Sequence, residues 1–408
     1  MFEKELAKVP GLTGSQATCK SRTHRQERRD ALAARRNVEG SRSREVKLND
    51  VQQERPVTTT SFSGAPPAWT PAQFRQYYRE GNLMRFLIWT LFLAAGLSAQ
   101  AVNAPSDPVS TLISRLELER YKAHIKGLSQ FGDRMQGTKR NRDAIDWLEK
   151  QLRSFGYSNV ERHRFMADAG PLENIYATKV GTGVAEEMYI VSAHMDGRGG
   201  GEAADDDASG CAVVLELARV LAMPEVRTNR SVRFIFWNNE EFGMDGSGTY
   251  ALERSPLQGT ASEPKWLGVI QHDMMMFDHG MPPGPKQSPN ADINIDYQEN
   301  SLMGDASAKL AAVLKSANLS QSLDYPATIG TNMAGTDSIR FQDLVASVSV
   351  RENERVTGIV MGSNPNHHKP TDKYANYGEQ DFRFGFDSAR TTLGGLGQLA
   401  GITLVQRR

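Results

Sequence analysis

MYIVSAHMDG, residues Met188 to Gly197, is the stretch that decides how this chain folds. Its apolar part, Met188 to Ala193, shows no polar alternation and ends on His194 and Asp196. A short, nearly continuous apolar run of this kind suits a strand covered on both faces. Two later runs repeat the form. Ser231 to Trp237 (SVRFIFW) runs into Asn-Asn-Glu-Glu, closing on Glu240 and Glu241, and Trp266 to Ile270 (WLGVI) runs into Gln-His-Asp, closing on Asp273. A strongly apolar helix is expected between the first two, from Gly210 to Ala222. Upstream, Ile145, Leu148, Leu152 and Phe155 recur at helical spacing and stop at Gly156, followed by a turn and an edge-like segment through Tyr176. A glycine-rich apolar helix is expected around Leu393 to Leu404. Strands alternating with helices predict an α/β fold whose sheet is covered on both sides.

Composition narrows the function. With 48 basic and 48 acidic side chains the formal net charge is zero, whereas a nucleic-acid surface needs a basic excess. Hydrophobic content is 39%, and the deficit lies mainly in the first hundred residues, so the remainder can bury a large core. Met84 opens MRFLIWTLFLAAGLSAQAVNAP, in which one arginine, a short apolar run and the small-residue exit Ala99-Gln100-Ala101 form a secretory signal over 84–101. The run is too short to span a bilayer comfortably, so the processed chain is expected to be secreted or periplasmic and not held in a membrane. Residues 1–83 are rich in Arg, Ser, Thr and Gln with little apolar periodicity. They are expected to be disordered and not native, Met84 being the true start. The catalytic domain then occupies 106–408. Of the two cysteines, Cys19 lies upstream of this start, which leaves Cys211 without an intrachain partner and excludes a thiolate cluster.

In an open α/β sheet, ligands bind in the crevice beyond the strand C-termini. That crevice would collect His194, Asp196, Glu240, Glu241 and Asp273. A glycine-rich loop from Gly197 leads into Asp205, Asp206 and Asp207 at the entrance of a helix, and His367 and His368 come late, followed by Asp372. Taken singly these are ordinary features: a surface pair, a capped helix, a solvated Glu-Glu. The glycine-rich loop lacks the Lys-Ser/Thr of a phosphate cradle, and three aspartates repel an anion. Converging on one sheet edge, however, imidazoles and carboxylates are costly to bury without a cation. Histidines with carboxylates and no thiolate suit zinc first. The carboxylates outnumber what one catalytic zinc needs, which favours two metals sharing one carboxylate.

The motifs His194-Met-Asp196, Ala204-Asp-Asp-Asp-Ala-Ser-Gly210, Asn239-Glu-Glu-Phe-Gly243, Gln271-His-Asp-Met274, Gly335-Thr-Asp-Ser338 and His368-Lys-Pro-Thr-Asp372 occur in one order along the chain. Phe131-Gly-Asp-Arg134 and Gly137-Thr138 precede them. In this the chain resembles the co-catalytic di-zinc aminopeptidases, whose relatives include glutamate carboxypeptidase, glutaminyl cyclase and the transferrin-receptor ectodomain. The resemblance extends over most of the chain from Arg115. It implies a three-layer α/β/α sandwich with a mostly parallel, mixed central sheet in a single catalytic domain, with no inserted domain between Tyr157 and Met188. It also implies two Zn2+ ions per chain bridged by Asp206, one completed by His194 and Asp273, the other by Glu241 and His368. Glu240 is then the general base, Asp196 orients His194, and Asp372 does the same near His368. His367 is the rival ligand, set aside because His368 has the His-x-x-x-Asp spacing. Peptides are the expected substrates.

The sequence departs from the family where some relatives carry an oxyanion-stabilising tyrosine: Met333 lies near that place, and Tyr325 is the nearest tyrosine. Three other functions compete with the aminopeptidase reading. A carboxypeptidase needs a basic set to read a terminal carboxylate, for which Arg198 and Arg340 are isolated candidates. A glutaminyl cyclase would not need all five ligands. A catalytically inactive binding protein would have lost some of them.

Overall fold

The run at Met188 is the inner part of the longest strand of the sheet. In the computed structural model, residues 107–277, 293–321, 323–352 and 364–405 are described. They fall within one compact unit, 99–408; the expected upstream segment and signal lie outside the described residues. In chain order the strands are β1 (Glu161–Ala167), β2 (Gly170–Lys179), β3 (Val184–His194), β4 (Val226–Thr228), β5 (Arg230–Trp237), β6 (Lys265–His272), β7 (Ile293–Asp296), β8 (Ala327–Gly330), β9 (Ser347–Glu352) and β10 (Ile402–Leu404). The helices are α1 (Pro108–Ile113), α2 (Leu118–Ser129), α3 (Lys139–Ser154), α4 (Gly210–Leu221), α5 (Asp245–Arg254), α6 (Gly304–Ser320) and α7 (Glu379–Ala400).

Eight strands form the sheet in the order β1-β2-β5-β3-β6-β9-β7-β8. The central four, β5-β3-β6-β9, are mutually parallel. Antiparallel pairing flanks them, through β1–β2 and β2–β5 on one side and β9–β7 on the other, while β7–β8 is again parallel. This is the expected mixed, mostly parallel sheet. The residues of β3 alternate between two cores. Tyr189, Val191 and Ala193 join the larger one with α2, α4, α6 and α7, and Met188 and Ile190 join a smaller one with Tyr250 of α5, Trp266 and Phe341. Helices therefore cover both faces, and the apolar side chains of the run are removed from water, Met188, Ile190 and Val191 each contributing about 1.5–3 kcal/mol.

Two expectations need correction. The segment through Tyr176 is not the edge: β2 lies between β1 and β5, so Ile175, Tyr176 and Ala177 are all buried, and β1 is the outer strand. The closing helix starts at Glu379 and stops at Ala400, where Gly401 turns the chain at φ 67°, so that Ile402–Leu404 is a strand paired with β4. Its glycines serve close packing. A Cβ at Gly395 would lie 2.5 Å from Leu314 Cδ2, and one at Gly397 2.3 Å from Val109 Cγ2. Finally, β7, β8, β9 and α6 carry no clear sequence signal. Between Tyr157 and Met188 there is only the β1–β2 hairpin and the start of β3. Cys211 is buried and unbridged, and no described helix is long and apolar enough to cross a membrane.

Candidate metal centre

Three strands of the parallel core deliver polar residues to the same edge. β3 ends on His194, β5 is followed by Asn238 to Glu241, and β6 is followed by Asp273. The three aspartates before α4 divide their tasks. Asp207 turns inward, its Oδ2 accepting from the His194 amide (3.2 Å) and its Oδ1 from those of Gly210 (2.9 Å) and Met274 (3.2 Å). Asp205 also turns inward, accepting from the Met276 amide (2.8 Å) and from Asn364 Nδ2 (2.6 Å). Asp206 alone faces the crevice.

Its two oxygens serve two imidazoles. Asp206 Oδ1 lies 3.1 Å from His194 Nε2, and Oδ2 lies 3.0 Å from His368 Nε2. Asp273 Oδ1 is 3.8 Å from that same His194 nitrogen, and Glu241 Oε2 is 2.8 Å from that same His368 nitrogen. The structure thus brings together all five residues expected as ligands. His194, Asp206 and Asp273 have ligand atoms within 4.8 Å of one another, as do Asp206, His367 and His368. His367 joins the second group, with Nε2 3.3 Å from Asp206 Oδ2, so spacing along the chain did not remove it from the site.

The donor set fits a cation. Nδ1 of His194 donates to the Asp196 main-chain oxygen (3.1 Å), which leaves Nε2 directed at the carboxylates as the nitrogen a metal would take. Oε1 of Glu241 is buried without a hydrogen-bond partner among the described residues. Electrostatics point the same way. Burial alone would raise the Asp206 carboxyl, but hydrogen bonds from His194, His367 and His368 hold it well below the usual range. Burial also opposes ionisation of Asp273, and Arg351, 2.8 Å away, with His194 outweighs it and keeps that carboxylate ionised. Glu241 is pushed up to about 7 by burial and by Asp206. Burial pushes Glu240 well above the carboxylate range, against the pull of His194. The backbone is strained where these groups meet: Arg134, Ala203, Asn239, Met274 and His368 all have positive φ.

Of the two supporting aspartates, Asp196 lies beside the His194 ring, its main-chain oxygen accepting from Nδ1 (3.1 Å) and its carboxylate 3.7 Å away. That carboxylate also accepts from the main-chain N–H of Glu240 (3.1 Å) and Glu241 (3.4 Å), fixing the Glu-Glu pair. Asp372 does not orient His368. Its carboxylate accepts from the Asp205 and Asp206 amides (3.0 and 3.2 Å) and from the Tyr377 hydroxyl (2.9 Å), so it shapes the aspartate loop. The side chain against His368 is Arg198, with Nη2 2.6 Å from Nδ1 and Nε 3.2 Å from Glu241 Oε2. Arg340 reaches the Gly243 carbonyl.

Tyr325 is not in the site: it packs on Phe384 and donates to the Gln380 carbonyl. Met333 is buried beside Ser338. Sequence reasoning missed Arg351, which sits on the unanticipated β9. It also missed the work of Arg134, a fully buried guanidinium donating to the carbonyls of Met195 (2.7 Å), Gly132 (3.0 Å), Glu202 (2.7 Å) and Ala203 (2.8 Å). The crevice has a volume of about 250 Å3 and is lined by Glu240, Glu241, Asp206, Asp273, both late histidines, Arg198 and Arg351 among others.

An α/β/α sandwich with imidazoles and carboxylates gathered at the C-terminal edge of its parallel strands belongs to the architecture of metal-dependent hydrolases. Residues 174–382, slightly more than half of the 408, match the model of peptidase family M28, and the chain belongs to that family. It is 28% identical over 196 residues to leupeptin-inactivating enzyme 1 of Streptomyces exfoliatus, a match covering 46% of this chain and 43% of that protein. The matched segment thus spans less than half of that relative. Among solved structures, the LapA aminopeptidase of Legionella pneumophila is similar at a TM-score of 0.57 and 16% identity, covering 72% of this chain and 74% of that one. The glutaminyl cyclase of Porphyromonas gingivalis is similar at 0.55 and 20%, covering 70% and 99%. Both are likenesses of fold.

Proposed function

We propose that this chain is a zinc-dependent aminopeptidase, removing N-terminal residues from peptides, with two Zn2+ ions bridged by Asp206. The observation that carries the reading is the arrangement of that one carboxylate, with His194 on one oxygen and His368 on the other. His194, Asp206 and Asp273 would hold one ion, and Asp206, Glu241 and His368 the other. When bound, the ions would supply Lewis acidity, lowering the pKa of a water in the crevice and polarising the scissile carbonyl.

The remaining work falls to the chain. Glu240 lines the crevice beside the ligands without contacting His194 or His368, and burial raises its proton affinity. It would take the proton of the attacking water and return it to the leaving amine. The amides of Glu240 and Glu241, anchored on Asp196, keep base and ligand in fixed relation. A free substrate amino group, being cationic, would be drawn to the surrounding carboxylates. The 84–101 segment supports export, so the proposal includes a secreted or periplasmic location.

The test is zinc stoichiometry measured alongside turnover of a panel of aminoacyl chromogenic substrates. Two zincs per chain with release of free N-terminal residues is the expected outcome. Release from the C-terminus, or cyclisation of N-terminal glutamine without hydrolysis, would overturn the aminopeptidase assignment and leave the metal centre standing.

A further inference from the structure

The residues of the metal centre sit at the C-terminal ends of the parallel strands. A second pocket, of about 340 Å3, opens at the opposite end of the sheet, between the end of β2, the segment after α3, and β4. Two cations line it, Lys179 at the end of β2 and Arg227 in β4, and the lining contains no carboxylate. Ser158, Asn159, Thr178 and Thr182 are the other polar residues of its lining.

The two cations share an anchor. Lys179 Nζ donates to the Val226 carbonyl (3.0 Å), and Arg227 Nη1 donates to the same carbonyl (3.0 Å) and to that of Pro224 (2.6 Å). Satisfying those carbonyls takes one ammonium hydrogen and one guanidinium nitrogen. The other ammonium hydrogens, with Nε and Nη2 of Arg227, have no partner among the described residues. Capping of main-chain oxygens therefore leaves two like charges held close together and uncompensated. Burial, and next the neighbouring Arg227, lowers the proton affinity of Lys179, as expected for a cation lacking a counter-charge. An oxyanion between the pair would supply that counter-charge and accept the remaining donors.

We propose that this pocket is a binding site for a small ligand bearing an oxyanion, phosphate or carboxylate, held between Lys179 and Arg227. Its volume is at the lower end of the range for small-molecule sites, about 300–1,000 Å3, and exceeds what a bare anion fills, so the ligand carries a further small group. It is not a subsite of the metal centre. Thr182 lies two residues before the start of β3, and His194 ends it; at about 3.3 Å per residue the two ends lie on the order of 30 Å apart.

The experiment is calorimetric titration of the full zinc-loaded chain with inorganic phosphate and, separately, with succinate at low ionic strength. The same titrations are run on the K179M/R227M double variant. Anion binding at the metal centre survives in that variant and is subtracted by it. The expected result is a binding component weakened at least about tenfold in the variant, the loss of one or two charge-assisted hydrogen bonds, with turnover unchanged when no anion is added. Phosphate binding without succinate binding identifies phosphate esters as the ligand class, and the reverse identifies carboxylates. Absence of any component that differs between the two proteins overturns the proposal. If the double variant does not fold, K179Q and R227Q singly, which keep the side-chain stems, are held to the same criterion.

Discussion

Replacing Arg134 by methionine tests how the loop between His194 and Asp206 is held. The guanidinium is fully buried, and its close partners among the described residues are main-chain carbonyls, those of Gly132, Met195, Glu202 and Ala203. Methionine fills much of the volume but donates nothing, so the carbonyls of Met195 and Glu202 lose a charged donor. A hydrogen bond to a charged group is worth about 1.5–3 kcal/mol, and orphaning a buried acceptor costs about 1–3 kcal/mol. The terms are not additive, and breaking a buried network of this kind costs about 3–5 kcal/mol. For a chain of this size, roughly 2–3 °C of melting temperature accompanies each kcal/mol, so R134M should melt about 6–15 °C lower. Urea unfolding gives the free energy directly, with the slope checked for two-state behaviour. The bonded carbonyls bracket the loop that places Asp206, so zinc affinity should fall together with stability. R134K, able to keep only part of the fork, should lie between. A loss below about 1 kcal/mol with unchanged zinc affinity would refute the view that this arginine shapes the site.

Three further outcomes are expected. Glu240→Gln should retain fold and zinc while turnover drops about 10²–10⁴-fold; full turnover by that variant would remove Glu240 as base. His368→Ala should lower the bound zinc count and His367→Ala should not, by elemental analysis; the opposite pattern would exchange their roles. Buried His272, bonded to the Ser192 carbonyl and Thr392 hydroxyl, is held down to about 4 by burial. The unfolded chain therefore binds this proton first as pH falls. Its contribution is complete above about 6.5 and is lost towards pH 4, on the order of 3 kcal/mol in total. The stability profile of His272→Asn over that window should be flatter than that of the parent, and matching slopes would contradict this.

What was legible in the sequence was what local pattern controls. The strands β3, β5 and β6 announce themselves because an unbroken apolar run can only be buried, and their polar terminations mark the edge where the site forms. β9 did not, because Ser347 and Ser349 alternate with Val348 and Val350 yet are buried with them, so its periodicity imitates a half-exposed strand. The closing helix was misplaced because its glycines look like a terminus, whereas they are contact points for Leu314 and Val109. Within the site, the residue types were readable and their partners were not. Asp196 and Asp372 both sit at suitable spacing from a histidine, but a carboxylate binds whichever donors the tertiary fold presents, and here those are the amides of the Glu-Glu and Asp-Asp turns.

The unequal duties of the three successive acids before α4 set a condition on how this loop can vary. Each acid takes its direction from the amides around it, those of His194, Gly210 and Met274 drawing Asp207 inward and that of Met276 drawing Asp205 inward, so overall charge alone says nothing about whether the carboxylate in the middle faces outward.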